Sequence, residues 1–247
     1  MRIAFLADIH ANRGALEACL EHARRQQAER YVFLGDYVGY GADPGWVLDT
    51  VMEHVARGAV AVLGNHDQSV LGDVLPPSHP DARDSLLWTR DQINGAHREF
   101  LASLPLAHEE GELLAVHANA WAPERWEYIL GERDAERSLR AAAQRYSFCG
   151  HMHDPALYWM GQSTRATRFT PGSRTPIPLA ATRRWLVVPG SVGQPRDGNP
   201  AAAYGLFESR ERRFAYFRVP YDVDNAALRI HSVGLPGRLA ERLAEAR

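Results

Sequence analysis

Only two cysteines, Cys19 and Cys149, occur in 247 residues. Two thiols so far apart give no disulfide framework, and a reducing compartment is expected. No apolar run approaches the ~20 residues that a membrane span needs. The N-terminal run Met1-Arg2-Ile3-Ala4-Phe5-Leu6-Ala7 is broken by Asp8, too early for the apolar stretch of a secretory signal. These absences lead us to expect a cytoplasmic protein with no membrane association. Strong charge of either sign is also missing: 28 Lys and Arg stand against 30 Asp and Glu, a formal net charge of −2. A general binder of nucleic-acid backbone would be basic, so that class is excluded, whereas a small phosphorylated substrate is not, because a bound cation can supply local positive charge. Internal repeats and long low-complexity tracts are absent as well. What remains is an ordinary globular composition, 45% hydrophobic and 23% charged, long enough for one full core. The expected organisation is a single domain over 1–247, with cap-like insertions near 67–105 and 119–133.

The short apolar runs share a feature at their ends. Ile3 to Ala7 ends at Asp8-Ile9-His10, Tyr31 to Leu34 at Gly35-Asp36, and Ala59 to Leu63 at Gly64-Asn65-His66-Asp67. Leu113 to Val116 ends at His117, and Tyr146 to Cys149 at Gly150-His151-Met152-His153. The runs are continuous rather than alternating, which suits strands buried on both faces. Between the first three lie helical patterns. Asn12 stands as an N-cap before Leu16, Cys19, Leu20 and Ala23, and Asp43-Pro44 stands before Val47, Leu48, Val51 and Val55. Strand–helix–strand–helix–strand with right-handed crossovers makes parallel neighbours, and ligands of such sheets gather at the carboxyl ends of the strands. Asp8, His10, Asp36, Asn65 and His66 all fall there.

Further along, Pro76-Pro77 and Pro80 mark a loop, Asp81 to Ile93 reads as a helix, and Asn94 caps a short helix containing Phe100 and Leu101. Gly111 suggests a hairpin turn, Asp134 caps a helix running to about Gln144, and Ala156 to Met160 reads as a strand. Residues 161–180 read as a loop or loose hairpin. Trp185 to Val188 is another strand and ends at Pro189-Gly190-Ser191. Ala203–Phe207 and Phe214–Val219 form an antiparallel pair. Two short helices, near 222–232 and 236–246, close the chain. The change from crossovers to hairpins suggests two packed sheets flanked by helices.

Carboxylate, imidazole and one amide oxygen, with no thiolate, suit catalytic divalent metals such as Mn²⁺, Fe²⁺, Co²⁺ or Zn²⁺ rather than a closed structural zinc site. The candidates outnumber the ligands of one tetrahedral ion and suffice for two. Two ions ~3.5–4 Å apart can clamp the attacking and leaving oxygens of an in-line displacement, with bound water ionising at a pKa of ~7.

The ordered set Asp8-x-His10, Gly35-Asp36, Gly64-Asn65-His66-Asp67, His117 and Gly150-His151-x-His153 resembles the calcineurin-like metallophosphoesterase superfamily. The resemblance spans residues 8–153 and implies a four-layer αββα sandwich, an α/β fold of two mixed sheets with helices outside. It further implies that Asp8, His10 and His153 hold one metal, that Asn65, His117 and His151 hold a second, and that Asp36 bridges them. His66 would not bind metal but would stabilise the transition state or protonate the leaving oxygen. Phosphoprotein phosphatases of this superfamily carry Asp-Arg-Gly after the bridging Asp. Here Asp36 is followed by Tyr37-Val38-Gly39-Tyr40-Gly41, which together with Gly190-Ser191-Val192-Gly193-Gln194-Pro195-Arg196 looks more like the small bacterial phosphodiesterase-type branch.

The expected function is therefore hydrolysis of phosphodiester or nucleotide-type substrates, dinucleoside polyphosphates among them, by metal-bound hydroxide. A phosphomonoesterase or phosphoprotein phosphatase is the alternative within enzymes, and a non-catalytic scaffold of the same fold is the alternative outside them. His151-Met152-His153-Asp154 superficially suggests a metallo-β-lactamase motif, but its Asp falls one position early and the last His is missing. Tyr40, Trp121 and Arg196 are candidate substrate contacts. The aromatic segment Trp121, Trp126 and Tyr128 suits stacking on a base, core packing or a subunit contact. Arg165, Arg168, Arg174, Arg183 and Arg184 suit either phosphate contacts or a solvated loop. Substrate, native metal and oligomeric state are left open, an oligomer being compatible with the sequence.

Overall fold

The computed structural model describes residues 1–72, 80–161, 165–172 and 175–247. The expected loop at Pro76-Pro77 and the candidate phosphate contact Arg174 lie outside the described residues. In chain order the elements are β1 (Arg2–Leu6), α1 (Arg13–Arg25), β2 (Arg30–Phe33), α2 (Pro44–Ala56), β3 (Val60–Ala61), α3 (Asn65–Leu71), α4 (Pro80–Gln92) and α5 (Gly95–Ser103). They continue as β4 (Ala107–Glu110), β5 (Leu113–Val116), α6 (Glu132–Ala141), β6 (Tyr146–Phe148), β7 (Ala156–Met160), β8 (Thr167–Phe169) and β9 (Ile177–Pro178). β10 (Arg184–Val188), β11 (Ala202–Glu208), β12 (Arg213–Val219), α7 (Val223–Ser232) and α8 (Gly237–Glu245) complete the chain.

The strands form two six-stranded mixed sheets, β3-β2-β1-β11-β12-β9 and β4-β5-β6-β10-β7-β8. In the first, β1, β2 and β3 are parallel and β11 runs antiparallel to β1. In the second, β5, β6 and β10 are parallel and β7 is antiparallel to β10. Alternation along each strand sorts side chains between layers. Ile3 and Phe5 face the space between the sheets, while Ala4 and Leu6 face the outer layer with α1 and α2. Trp185 and Val187 likewise face inward, while Leu186 and Val188 pack outward beside Leu139 of α6. The result is the α/β four-layer sandwich of two mixed sheets flanked by helices. Both strand sets are covered on each face, which is why their sequences read as continuous apolar runs.

The seam between the sheets is aromatic. Phe5 stacks on Phe148 with ring centroids 3.8 Å apart, and Phe148 in turn lies 5.6 Å from Phe207 and 5.7 Å from Phe214. This one ring joins strands of both sheets.

Several local expectations shift. β3 is only two residues long, and α3 begins at Asn65, within the motif that ends the apolar run from Ala59 to Leu63. Residues 161–180 supply two strands to different sheets, β8 beside β7 and β9 beside β12, rather than a hairpin of their own. Asn12 caps α1 by accepting from the Ala15 N–H at 3.1 Å, and Asn94 caps α5 by accepting from the His97 N–H at 2.9 Å. Asp43 precedes α2 without a capping bond, its carboxylate being paired with Arg229 of α7. Asp134 does not start α6. It sits within the first turn and accepts the Leu130 N–H at 2.9 Å, and Gly131 is the cap.

Replacing Phe148 by alanine removes the ring shared by the two sheets. The expected loss is about 3–5 kcal/mol, read as a lower urea midpoint without change in slope.

Candidate metal centre

The loops after β1, β2, β3, β5 and β6 converge at one edge of the sandwich, bringing together Asp8, His10, Asp36, Asn65, His66, His117, His151 and His153. All but Asn65 are buried. Three groups of ligand atoms are each close enough to hold a metal ion: Asp8 with His10 and His153, His10 with Asp36 and His66, and Asp36 with His117 and His151.

Four of the five imidazoles are fixed through one nitrogen. Nδ1 of His10 donates to the Val38 carbonyl at 3.2 Å, Nδ1 of His117 to Leu34 at 2.7 Å and Nδ1 of His153 to Gln194 at 2.5 Å. His151 is turned the other way, with Nε2 donating to the Trp126 carbonyl at 2.9 Å. A carbonyl only accepts, so each contact fixes the proton on that nitrogen and leaves the other as a lone pair unless the ring is doubly protonated. His66 differs: its Nδ1 is buried without a hydrogen-bond partner among the described residues.

The second ring nitrogens face other acceptors. His10 Nε2 stands 3.1 Å from His153 Nε2, and His153 Nε2 is 3.5 Å from an Asp8 carboxylate oxygen. His117 Nε2 is 3.0 Å from the Asn65 amide oxygen. The single oxygen Asp36 Oδ2 lies 3.7 Å from His10 Nε2 and 3.4 Å from His117 Nε2.

Burial, in His10 against the pull of Asp36, holds His10 and His153 well below the ordinary histidine value, so these two rings are neutral. Burial and the neighbouring His117 push His151 down to about 3. Burial would lower His117 too, but the Asp36 carboxylate outweighs it and raises that ring to about 9. Burial works against ionisation of Asp36, yet the surrounding His117, His66 and His10 hold it well below the usual carboxylate range. Burial lifts Asp8 to about 7, with His117 opposing. A divalent cation would relieve the opposed acceptors and replace the proton on His117. The donor set fits such an ion.

The backbone is bent hard to achieve this. Asp8, His10, Asp36, His151 and His153 all have left-handed φ, between 49° and 69°. Each such non-glycine residue costs on the order of 1–2 kcal/mol. The bends turn side chains from strand directions into the common edge. Asp67 holds part of the geometry. Its buried carboxylate accepts the N–H groups of Gly64 at 3.0 Å, Asp36 at 2.8 Å, Tyr37 at 2.9 Å and Val38 at 3.3 Å. The His66 N–H donates to Asp36 Oδ1 at 2.8 Å, and the His151 N–H donates to Asp8 at 2.9 Å. Gly39, at φ +85°, is close beneath His66, where a Cβ would stand 2.5 Å from its Nδ1.

The chain belongs to the calcineurin-like phosphoesterase superfamily. A calcineurin-like phosphoesterase superfamily domain matches residues 1–212. An uncharacterised protein of Methanocaldococcus jannaschii is 33% identical over 98% of this chain and 96% of its own length. The crystal structure of a metallophosphoesterase from Sphaerobacter thermophilus superposes with a TM-score of 0.89 at 34% identity, covering all of both chains. A symmetrical bis(5'-nucleosyl)-tetraphosphatase of Burkholderia thailandensis is 29% identical over 69% of this chain and 60% of that relative. Membership makes this superfamily chain a phosphoesterase, a hydrolase of phosphate esters.

The candidate substrate contacts fall in different places. The ring of Tyr40 lies 4.6 Å from those of His10 and His66. Arg196 donates to the Gln194 side chain at 3.2 Å, next to the carbonyl that holds His153. Trp121 packs in the outer core of the second sheet, with its N–H on Glu127 at 3.2 Å and Arg137 over its face. Of the aromatic segment, Tyr128 stacks on His151 at 4.0 Å and Trp126 lies edge-on to His117 at 5.7 Å.

Sequence reading missed Asp67 as a clamp and Asn119 as a loop former. Asn119 accepts the Ala122 N–H and donates to the Glu127 carbonyl, both at 2.9 Å, shaping the loop whose Trp126 carbonyl orients His151. An Asn three residues before an N–H that it caps is a recognisable Asx-type signal. Asp67→Ala strips an acceptor from four backbone N–H groups and should lower stability by about 3 kcal/mol or more. Asp67→Asn, which keeps one oxygen, should cost less in the same denaturant titration.

Proposed function

We propose that the protein is a di-metal phosphoesterase acting on phosphodiester or nucleotide-type substrates. The observation that carries the metal assignment is the facing of neutral acceptors: two imidazole nitrogens 3.1 Å apart, each with its proton committed to a carbonyl on the far side. On this reading Asp8, His10 and His153 hold one ion, and Asn65, His117 and His151 the other. Asp36 bridges, supported by the one oxygen placed near an imidazole of each group. Bound divalent cations, with manganese, iron, zinc and cobalt all suited to these donors, would supply Lewis acidity and neutralise charge developing at phosphorus.

His66 also meets the geometric criterion for a ligand with His10 and Asp36. We assign it instead to proton transfer, because metal-binding histidines have their other nitrogen fixed by an acceptor. His66 alone among the five lacks that support. Burial, opposed by Asp36, keeps it below the ordinary histidine value. In its protonated form it would pass one proton to the leaving oxygen as the phosphorus–oxygen bond breaks and return to the neutral ring that burial favours.

The lean toward diesters and nucleotides rests on three supports. Gly35-Asp36 is followed by Tyr37 rather than by a phosphate-gripping arginine. Aromatic rings stand at the site, with Tyr128 stacked on His151 and 45% exposed. The tetraphosphatase relative acts on a dinucleoside polyphosphate by its name. We also place the enzyme in the cytoplasm. Its two free, buried cysteines lie in different layers, and no helix among the described residues is long and apolar enough to cross a membrane.

His66→Gln should retain metal content and lower turnover by ~10²–10⁴; an unchanged rate would remove it from the chemistry. Asp36→Asn should lower the content of both ions, measured by elemental analysis, and retention of both at normal affinity would rule out the bridge. With manganese, bis(p-nitrophenyl) phosphate should be hydrolysed in preference to the mono-ester. The reverse preference would make the protein a phosphomonoesterase.

A further inference from the structure

A cavity of about 420 Å³ backs onto the metal centre, and small-molecule sites span roughly 300–1,000 Å³. The loop after β1 and the start of α1 form one wall, from His10 to Gly14 with Glu17. The loop after β2 forms a second, from Tyr40 to Asp43, and Gly193 with Gln194 after β10 a third. The fourth is α7 with α8, both beyond the matched family domain, which ends at residue 212. Ile230 of α7 and Leu239 and Leu243 of α8 pack in one cluster with Tyr40 and Ala42, so these helices close the cavity against the loop after β2. Three wall residues also serve the metal centre. His10 is a candidate ligand, the Tyr40 ring lies 4.6 Å from those of His10 and His66, and the Gln194 carbonyl holds His153.

The same wall carries backbone strain. His10 bends to serve the centre, but Ala11 and Tyr40, at φ of 50° and 66°, are not ligand candidates. A bulky ring such as Tyr40 is a rare occupant of the left-handed region, and strain of this kind gathers at ligand clamps.

The chemistry of the lining is graded. Arg13 pairs with Glu17 at 3.0 Å and Arg229 with Asp43, while Asp222 caps α7 by accepting the Asn225 N–H at 2.9 Å. Each lining guanidinium is thus matched by a carboxylate, which favours an uncharged occupant over a phosphate. These pairs stand at the mouth, where Arg13, Glu17 and Arg229 are exposed, and they keep donors and acceptors to spare for hydroxyl groups. Farther in, Ala42, Ile230, Leu239 and Leu243 are buried and apolar, and Tyr40 adds an aromatic ring. A flat ring system at the inner wall with hydroxyls at the mouth describes a nucleoside. A bare sugar would leave the inner wall uncovered, and an acyl chain would leave the polar mouth unmet.

We propose that this cavity binds a nucleoside group, its base against Tyr40, Ile230, Leu239 and Leu243 and its ribose hydroxyls at the two ion pairs of the mouth. The group can arrive as a free nucleoside or as the nucleoside end of a nucleotide substrate whose phosphate lies at the centre. Binding is measured without turnover, and only the choice between these sources rests on the proposed function.

The four common ribonucleosides and ribose are titrated calorimetrically into full-length, manganese-loaded protein. At least one nucleoside should bind with a dissociation constant below about 1 mM, and ribose about ten-fold or more weakly than it. The 2',3'-dideoxy form of the tightest nucleoside should lose about ten-fold in affinity. Ala226→Trp, which fills the cavity from α7, should weaken nucleoside binding about ten-fold or more, with metal content, unfolding midpoint and hydrolysis of bis(p-nitrophenyl) phosphate unchanged. No nucleoside binding at about 1 mM, or ribose binding as tightly as the nucleosides, would overturn the site on the wild type alone. Nucleoside binding untouched in a folded Ala226→Trp protein would overturn it as well. Competitive inhibition of nucleotide-ester hydrolysis by the bound nucleoside would identify the substrate's end as the source, and non-competitive inhibition a separate ligand; both support the site. Nucleoside binding in a protein that hydrolyses no phosphodiester or nucleotide would support the site and refute the proposed function. Hydrolysis of both without nucleoside binding would do the opposite.

Discussion

The structure depends on acceptors being forced together in a place that water reaches poorly. Each apolar strand ends in a side chain with a lone pair to offer, and the sandwich brings five such ends to one edge. His10 and His153 meet nitrogen to nitrogen at 3.1 Å, and Asp36 stands between His10 and His117. The chain relieves Asp36 by raising His117 to about 9, but nothing in it repays the facing of His10 and His153, because burial disfavours the extra proton that would relieve it. A cation would, which would tie the stability of the edge to its chemistry.

Holding that arrangement requires strain and support together. Five of the converging residues sit in the left-handed region, a geometry that persists only where surrounding bonds over-determine it. The support is visible. Asp67 gathers four backbone N–H groups, Asp8 accepts the His151 N–H, and main-chain carbonyls orient four of the imidazoles. The loop from Asn119 to Glu127 adds the Trp126 carbonyl, so the segment after β5 belongs to the centre. On the other flank, α8 leans on Tyr40 and walls the cavity that backs onto the same edge.

Much of this was legible in the sequence because strand ends punctuate it. Continuous runs such as Ile3–Ala7 announced buried strands, and the polar residue types that end them announced a shared edge. The layered fold followed from crossovers giving way to hairpins. The shortness of β3 was not legible, since Ala59 to Leu63 carries the same apolar character whether or not it pairs. The division of 167–169 and 177–178 between two sheets was equally hidden, because short exposed strands have no hydrophobic register to read. Asp67 looked like the tail of a motif, and its role as a clamp depends on backbone N–H groups thirty residues away. The cavity was hidden as well, since α7 and α8 read as two short terminal helices, and only the packing of Leu239 and Leu243 with Tyr40 sets them against the loop after β2.

The proposed function makes the convergent edge a two-cation centre. Elemental analysis of wild-type protein, loaded with manganese and freed of excess ion by gel filtration, tests it most directly. About two ions per chain are expected. One ion per chain would contradict the paired centre, and none would contradict the metal assignment altogether.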